Sequence, residues 1–108
     1  MKVWIGSEVR EFALEYERSL KSAKQYEKVR AALEAERRVG CVLYLTPDFD
    51  LLFAILFQLA PISKRLGFAT ARSFREQLLA TSVTLDGSRA VVTLEEFLRY
   101  AHPLYVAS

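Results

Sequence analysis

The sequence predicts an α/β domain with a small sheet that has a mostly parallel core and is flanked by helices. Strand-like and helix-like segments alternate along the chain, which is the order expected of α/β proteins. The run Cys41–Leu45 is apolar throughout, as is typical of a central strand covered on both faces. The chain has 108 residues, of which 52% are hydrophobic and 26% charged. These values suit one globular domain with a buried core, and we expect it to span residues 1–108.

The N-terminal residues predict a β-hairpin. Val3–Ile5 is a short apolar run, and Gly6-Ser7 after it is a turn signal. Val9–Glu17 then alternates in polarity and is rich in aromatic residues, which favours a strand. Because side chains alternate along a strand, this segment has two faces. One face carries Phe12, Leu14 and Tyr16, and the other carries Ala13, Glu15 and Glu17.

An amphipathic helix is predicted next, over Ser19–Arg38. Its apolar residues recur at three- and four-residue spacing, namely Leu20, Ala23, Tyr26, Val29 and Leu33. Its N-cap is either Ser22 paired with Gln25 or Ser19, and Gly40 ends it. With the strand before it and Cys41–Leu45 after it, this helix forms a crossover unit whose two strands run parallel.

The middle of the chain predicts two further helices. Thr46-Pro47-Asp48 is a good helix start, because threonine caps well and proline suits the first helical position. The apolar helix over residues 47–60 stops at Pro61. We expect a loop over Ile62–Phe68, followed by a helix from Thr70 to about Ala80.

The C-terminal part predicts a hairpin and a short last helix. Val83–Leu85 and Ala90–Val92 are strand-like, and they flank Asp86-Gly87, a strong turn dipeptide. Thr93–Glu96 has the pattern of a capping box, in which the first and fourth residues satisfy each other's backbone N–H groups. It therefore opens a helix that we expect to run through Tyr100.

Composition and cysteine usage exclude several classes of protein. The net charge is +2, from 15 basic and 13 acidic residues, which does not by itself argue for nucleic-acid binding. The single cysteine, Cys41, rules out an internal disulfide and a multi-cysteine zinc site, and it fits a reducing cytoplasm. The most apolar run, Leu51–Ala60, is shorter than the about 20 residues of a membrane span. We therefore expect a cytoplasmic protein without a membrane partner.

A candidate metal site lies at the end of the predicted strand Val9–Glu17. Glu15 and Glu17 share one face at this end of the strand. In open α/β sheets, ligands bind beyond the carboxyl ends of the strands. Carboxylate oxygens suit Mg²⁺ or Mn²⁺, and Lys21 nearby suits a scissile phosphate. The pattern makes Glu15, Glu17 and Lys21 the candidate catalytic residues. The alternative, which the spacing alone favours, is a strand edge whose glutamates pair with Lys21, Lys24 or Arg18 in solvent.

The start of the predicted helix is a candidate site for DNA phosphate. Ser19, Lys21, Ser22 and Lys24 surround a helix N-terminus, where free backbone N–H groups and cations attract a phosphate. Ser19, Ser22 and Lys24 are the candidate DNA-binding residues. The alternative is that the serines only cap the helix and that the lysines only belong to its solvent-exposed face.

The segment Ala13–Tyr26, followed by Val42–Pro47, resembles the C-terminal domain of plasmid replication-relaxation proteins. In that family a strand ending in Glu-x-Glu precedes a Lys-Ser pair, a helix with an early aromatic residue and a strand like Val-Leu-Tyr-Leu. The resemblance covers residues 9–47 well and the remainder in outline. It implies a compact relative of the PD-(D/E)XK nucleases, with a restriction-endonuclease-like fold. Family members usually carry an N-terminal winged-helix domain, and DNA or a replication protein is the implied partner.

The resemblance also assigns roles to the candidate site. Glu15 takes the acidic position of the (D/E)-x-K strand, Glu17 stands where the lysine would be, and Lys21 projects back to supply the cation. Nucleases of this fold need an aspartate on the preceding hairpin strand, but Val3–Ile5 contains none and Glu8 is the nearest acid. Two interpretations of this departure follow: a degenerate nuclease fold kept for binding, and a fragment whose aspartate lies upstream of Met1. If the domain is active, the resemblance implies an endonuclease dependent on Mg²⁺ or Mn²⁺.

A different class of function is suggested by the helix over residues 47–60. Its apolar residues are more numerous than one buried helix face requires. They are Leu51, Leu52, Phe53, Ile55, Leu56, Phe57 and Leu59. The alternative hypothesis is therefore a non-catalytic interaction domain, in which this helix forms a homodimer or partner surface.

Overall fold

The computed structural model describes residues 1–59, 62, 64–85 and 90–99, and over these ranges the strands form two sheets. The smaller sheet is an antiparallel hairpin of β1 (Lys2–Ile5) and β2 (Glu8–Glu11). The larger sheet has five strands, which follow one another in chain order from edge to edge. They are β3 (Ala13–Tyr16), β4 (Cys41–Thr46), β5 (Arg65–Thr70), β6 (Ser82–Leu85) and β7 (Val91–Thr93).

The five-stranded sheet is mixed. Strands β3, β4 and β5 run parallel, whereas β5–β6 and β6–β7 are antiparallel pairs. The predicted α/β class and the parallel crossover between the first sheet strand and Cys41–Leu45 are confirmed. The predicted mostly parallel core is confirmed by the pairs β3–β4 and β4–β5. Residues 71–81 are too few for the usual parallel crossover, so the chain returns antiparallel to β5.

Helices cover both faces of this sheet. They are α1 (Ala23–Ala35), α2 (Phe49–Leu59), α3 (Ala71–Gln77) and α4 (Leu94–Arg99). Helices α1 and α2 pack on one face, in a core that includes Val42 and Tyr44 of β4. The hairpin, α3 and α4 pack on the other face, against Leu43 and Leu45. In the described ranges, none of the helices is long and apolar enough to cross a membrane.

Every residue of β4 is buried, which explains the continuous apolar run in the sequence. Side chains of Cys41–Leu45 alternate between the two cores, so both faces of β4 are covered. Cys41 is 1% exposed, as a small apolar core residue would be. Burial raises the pKa of its thiol to about 12, so the side chain stays neutral.

The predicted strand Val9–Glu17 is wrong as a single element, because the chain changes sheet at Phe12. Phe12 separates β2 from β3, and its side chain is buried in the core beneath the hairpin. Its backbone N–H donates to the carbonyl of Met1 at 2.9 Å. Burial of this one aromatic ring therefore folds the hairpin back over the main sheet. Because the alternation in polarity continues through Phe12, it does not mark the change of sheet.

The predicted loop over Ile62–Phe68 is also wrong, since β5 begins at Arg65 and pairs with β4 along its whole length. Gly67, which looked like a loop residue, lies inside this strand. A Cβ atom built there would lie 2.6 Å from Cγ1 of Val83 and 2.7 Å from Cζ of Phe97. Glycine is needed because these two side chains pack directly on the strand backbone.

The helix starts follow from local capping. The capping boxes of Ser22 with Gln25 and of Thr93 with Glu96 are both confirmed. Thr46 is the last residue of β4 and does not cap α2. Instead, Oδ1 of Asp48 accepts a hydrogen bond from the N–H of Leu51 at 2.8 Å.

The helix ends differ more from expectation. Helix α1 stops at Ala35, short of the predicted Arg38, because Glu36 adopts an extended conformation. The helix predicted from Thr70 ends as α-helix at Gln77 and continues as a 3₁₀ turn over Leu78–Ala80. The Asp86-Gly87 turn, Pro61 and the predicted helix end at Tyr100 lie outside the described residues.

Candidate functional site

A groove of about 440 Å³ lies between α1 and the β3–β4 edge of the sheet. Its floor is apolar, and its charged residues lie on β3, on the segment around Lys21, at the end of α1 and just before β5. The apolar lining comes from Ala13, Val42 and Tyr44 of the strands and from Val29, Ala32 and Leu33 of α1. The groove thus combines an apolar surface with carboxylates and ammonium groups.

Glu15, Glu17 and Lys21 all line this groove. Glu15 lies opposite Tyr44 in the parallel register of β3 and β4. Glu17 follows β3, and its N–H donates to the carbonyl of Leu45 at 3.0 Å, which continues the strand pairing. Because side chains alternate along this extended segment, both glutamates lie on the α1 side of the sheet.

Lys21 returns to the glutamates after the turn that follows β3. Its Nζ donates to Oε1 of Glu17 at 2.8 Å, and this hydrogen bond raises the pKa of Lys21. The backbone N–H of Lys21 donates to the hydroxyl of Tyr26 at 3.2 Å. Tyr26 is 1% exposed, so the buried side of α1 fixes the segment that carries the lysine.

Tyr44 lies on the floor, and its phenol is neutral. Burial raises the pKa of Tyr44, and the negative charges of Glu15 and Glu17 raise it further. Its ring stacks on Phe68 of β5, with centroids 5.7 Å apart and an interplanar angle of 19°. Tyr44 is therefore a rigid part of the floor beside both carboxylates.

The other predicted phosphate contacts are placed differently. The hydroxyl of Ser22 accepts from the N–H of Gln25 at 3.2 Å, and the N–H of Ser22 donates to Oε1 of Gln25 at 2.9 Å. Ser22 thus serves as the helix cap. Ser19 and Lys24 are exposed, and the described lining of the groove includes none of Ser19, Ser22 and Lys24. Their contact with DNA stays a prediction.

Sequence reasoning missed the ion pair formed by Glu36 and Lys64, which also lines the groove. The Nζ of Lys64 donates to Oε2 of Glu36 and to the carbonyl of Val39, each at 2.5 Å. The side chain of Lys64 is only 6% exposed. Since 28 residues separate the two partners, no local sequence pattern marks the contact.

Glu36 also ends helix α1. Its carboxylate accepts from the backbone N–H groups of Arg38 and Val39, at 2.6 and 3.1 Å. Lys64 foremost, and then these two N–H groups, lower the pKa of Glu36 to about 2. The carboxylate therefore stays ionised and holds Lys64 at this part of the groove.

A divalent cation at this site would be coordinated by two carboxylates, those of Glu15 and Glu17. Within the described ranges, no group of three or more His, Cys, Asp or Glu side chains could hold a metal ion. Glu8, the nearest acid to the missing aspartate position, begins β2 in the smaller sheet and pairs with Arg10. Two carboxylates still fit Mg²⁺, which usually keeps several waters and takes its remaining ligands from substrate phosphates.

The arrangement can hold a phosphate-bearing ligand with an apolar part. Glu15 and Glu17 offer oxygen ligands, Lys21 offers N–H donors, and the floor offers apolar surface. Comparison of the chain with protein-family models, with curated proteins and with solved structures found no match.

Proposed function

We propose that this chain is a DNA-processing domain with a PD-(D/E)XK-like, restriction-endonuclease-like fold, related to the C-terminal domain of plasmid replication-relaxation proteins. It binds DNA phosphate together with Mg²⁺ or Mn²⁺ at Glu15, Glu17 and Lys21. One observation carries the proposal: Glu15 and Glu17, at the carboxyl end of edge strand β3, and Lys21 after it line one groove. Open α/β sheets bind their ligands beyond the carboxyl ends of their strands.

Each residue has a defined part in this proposal. Glu15 and Glu17 hold the cation, which supplies charge stabilisation at a phosphate oxygen. Lys21 donates to the phosphate, and its pairing with Glu17 keeps its ammonium group at the groove before DNA binds. The set contains two carboxylates rather than three. The same site therefore serves a metal-dependent nuclease or a degenerate nuclease fold that binds DNA without cutting it.

DNA binding tests the role of Lys21. We expect labelled plasmid fragments to bind in Mn²⁺ and to lose affinity in EDTA, as measured by fluorescence anisotropy. Lys21→Gln should weaken binding about tenfold or more, the effect of losing one hydrogen bond from a charged group. Lys28→Gln is the matched control, because Lys28 is exposed on α1 and outside the groove lining. Equal losses in the two variants would count against the site.

Cleavage assays separate the two forms of the proposal. If wild type cuts plasmid DNA in Mn²⁺, Glu15→Gln should abolish cutting while its circular dichroism and thermal midpoint stay unchanged. Cutting that survives this change would remove Glu15 from the site. Mn²⁺-dependent DNA binding by wild type without any cutting would identify the degenerate form.

A second candidate function is protein interaction through α2, and two exposed aromatic rings favour it. Phe49 and Phe57 are 60% and 63% exposed, although they lie on a helix whose other apolar residues are largely buried. Phe53 lies between them at four-residue spacing, so the three rings follow one side of the helix. Burial of Leu52 and Ile55 accounts for much of the apolar excess seen in the sequence.

The molecular mass of the protein in solution tests whether α2 forms a homodimer. Sedimentation equilibrium of a dimer should show a molecular mass that rises with concentration, and Phe57→Ser should reduce it to the monomer mass. Val91→Ser is the control, since Val91 is 61% exposed on β7. A monomer mass at every concentration would contradict self-association through α2.

A further inference from the structure

We propose that the groove binds a nucleotide whose base is unpaired, with the base on the apolar floor and the phosphate beside Lys21. This inference rests on the proposed function and names the form of nucleic acid that the site takes. Duplex DNA would present only its phosphate and sugar backbone to the groove. An unpaired nucleotide presents a flat, largely apolar base as well, which matches both parts of the lining.

The floor is the first argument. Ala13 and Val42 of the strands and Val29, Ala32 and Leu33 of α1 give the groove an apolar surface next to its charged residues. A site built only to follow a phosphate backbone gains nothing from such a surface. A volume of about 440 Å³ also falls within the range of small-ligand pockets, roughly 300–1,000 Å³.

Charge is the second argument. The groove lining contains three carboxylates and two lysines, and each lysine already contacts a carboxylate. Proteins that bind duplex DNA through its backbone neutralise many phosphates with unshared lysine and arginine charges. Among the described residues that line the groove, there is no such surplus of positive charge. Affinity would therefore come from one phosphate, held by Lys21 and the cation, together with the base on the floor.

The test compares nucleic acids of different form by calorimetry in Mn²⁺. The probes are thymidine monophosphate, a single-stranded oligothymidine, and a duplex of the same oligothymidine with its complement. We expect the single strand to bind at least tenfold more tightly than the duplex. Equal binding of the two would overturn the inference. If the monophosphate binds as tightly as the single strand, the ligand of the groove is a free nucleotide. If it binds more weakly, the ligand is single-stranded DNA.

A pair of variants on α1 tests the floor. Ala32 and Ala31 are adjacent and both exposed, but only Ala32 lines the groove. Ala32→Phe should fill the floor and weaken single-strand binding at least tenfold, while the binding of Mn²⁺ and of inorganic phosphate stays unchanged. Ala31→Phe should leave all three unchanged. If Ala32→Phe binds the single strand as Ala31→Phe does, the inference is wrong although the metal site stands. Failure of wild type to bind Mn²⁺ would instead overturn the proposed function and this inference with it.

Discussion

The hydroxyl of Tyr26 accepts a hydrogen bond from the backbone N–H of Lys21, at 3.2 Å. Tyr26 belongs to the core between α1 and the sheet, whereas Lys21 lies on the turn that leads from β3 to α1. A buried residue of the helix thereby positions the lysine that contacts Glu17. The packing of α1 and the geometry of the candidate site are coupled through this one hydroxyl group.

Tyr26→Phe should remove this bond and keep the ring in the core. We expect the free energy of unfolding to fall by about 0.5–1.5 kcal/mol, the net contribution of one hydrogen bond. Urea titration followed by circular dichroism measures the change. The variant should also bind DNA more weakly in Mn²⁺, because Lys21 is less well positioned.

A double-mutant cycle distinguishes positioning from general loss of stability. In a Lys21→Gln background, Tyr26→Phe should have no further effect on DNA affinity, since the ammonium group that the hydrogen bond positions is gone. Additive losses of affinity in the cycle would show that Tyr26 does not act through Lys21.

Glu36 should make the stability of the protein depend on acid pH. Its pKa is lowered from the ordinary 4.5 to about 2 in the folded protein, first by the hydrogen bond from Lys64. A depressed pKa means that the stabilisation is fully present above pH 4.5 and is lost as the pH falls towards 2. Glu36→Gln should therefore lower the urea midpoint at pH 7, and its gap to wild type should close between pH 4.5 and pH 2.

Glu27→Gln provides the control for this pH dependence, because Glu27 is exposed on the same helix. Its urea midpoint should follow that of wild type over the whole range. A gap between wild type and Glu36→Gln that stays constant down to pH 2 would refute the assignment.

Gly67→Ala should destabilise the protein by about 1–3 kcal/mol, the usual cost of overpacking a core. The new methyl group would lie 2.6 Å from Cγ1 of Val83 and 2.7 Å from Cζ of Phe97, so these side chains would have to shift. Val83→Ala should cost less stability in the Gly67→Ala background than in a Gly6→Ala background, because it removes the methyl group nearest the new Cβ atom. An alanine at position 6 would be strained only by the φ of 62°, since the space around it is open. Urea titration of the four variants decides between these outcomes.

The sequence predicts those parts of the fold that local chemistry determines. The apolar run of β4 marked the central strand, and the capping boxes of Ser22 and Thr93 marked two helix starts. After Glu17 the two-residue alternation in polarity gives way to apolar residues at three- and four-residue spacing, and this change marked the crossover helix. It follows that the position of the candidate glutamates, at the end of a strand and before a helix, was already visible.

Tertiary contacts determine the features that the sequence did not predict. The break at Phe12 depends on a core that the hairpin completes, and β5 depends on side chains of Val83 and Phe97 that follow Gly67 by many residues. The Glu36–Lys64 pair joins two ends of elements that are distant along the chain. No periodicity or spacing in the sequence carries this information, because each contact joins residues that are distant along the chain.

The measurement that tests the central claim most directly is a calorimetric titration with Mn²⁺. Wild type is compared with Glu15→Gln, Glu17→Gln and, as a control, Glu27→Gln, which changes an exposed glutamate on α1 outside the groove lining. If Glu15 and Glu17 hold a cation, wild type and Glu27→Gln bind Mn²⁺ with the same micromolar affinity, and each groove variant loses it. Absence of Mn²⁺ binding in wild type, or equal binding by all four proteins, would contradict a metal site in the groove.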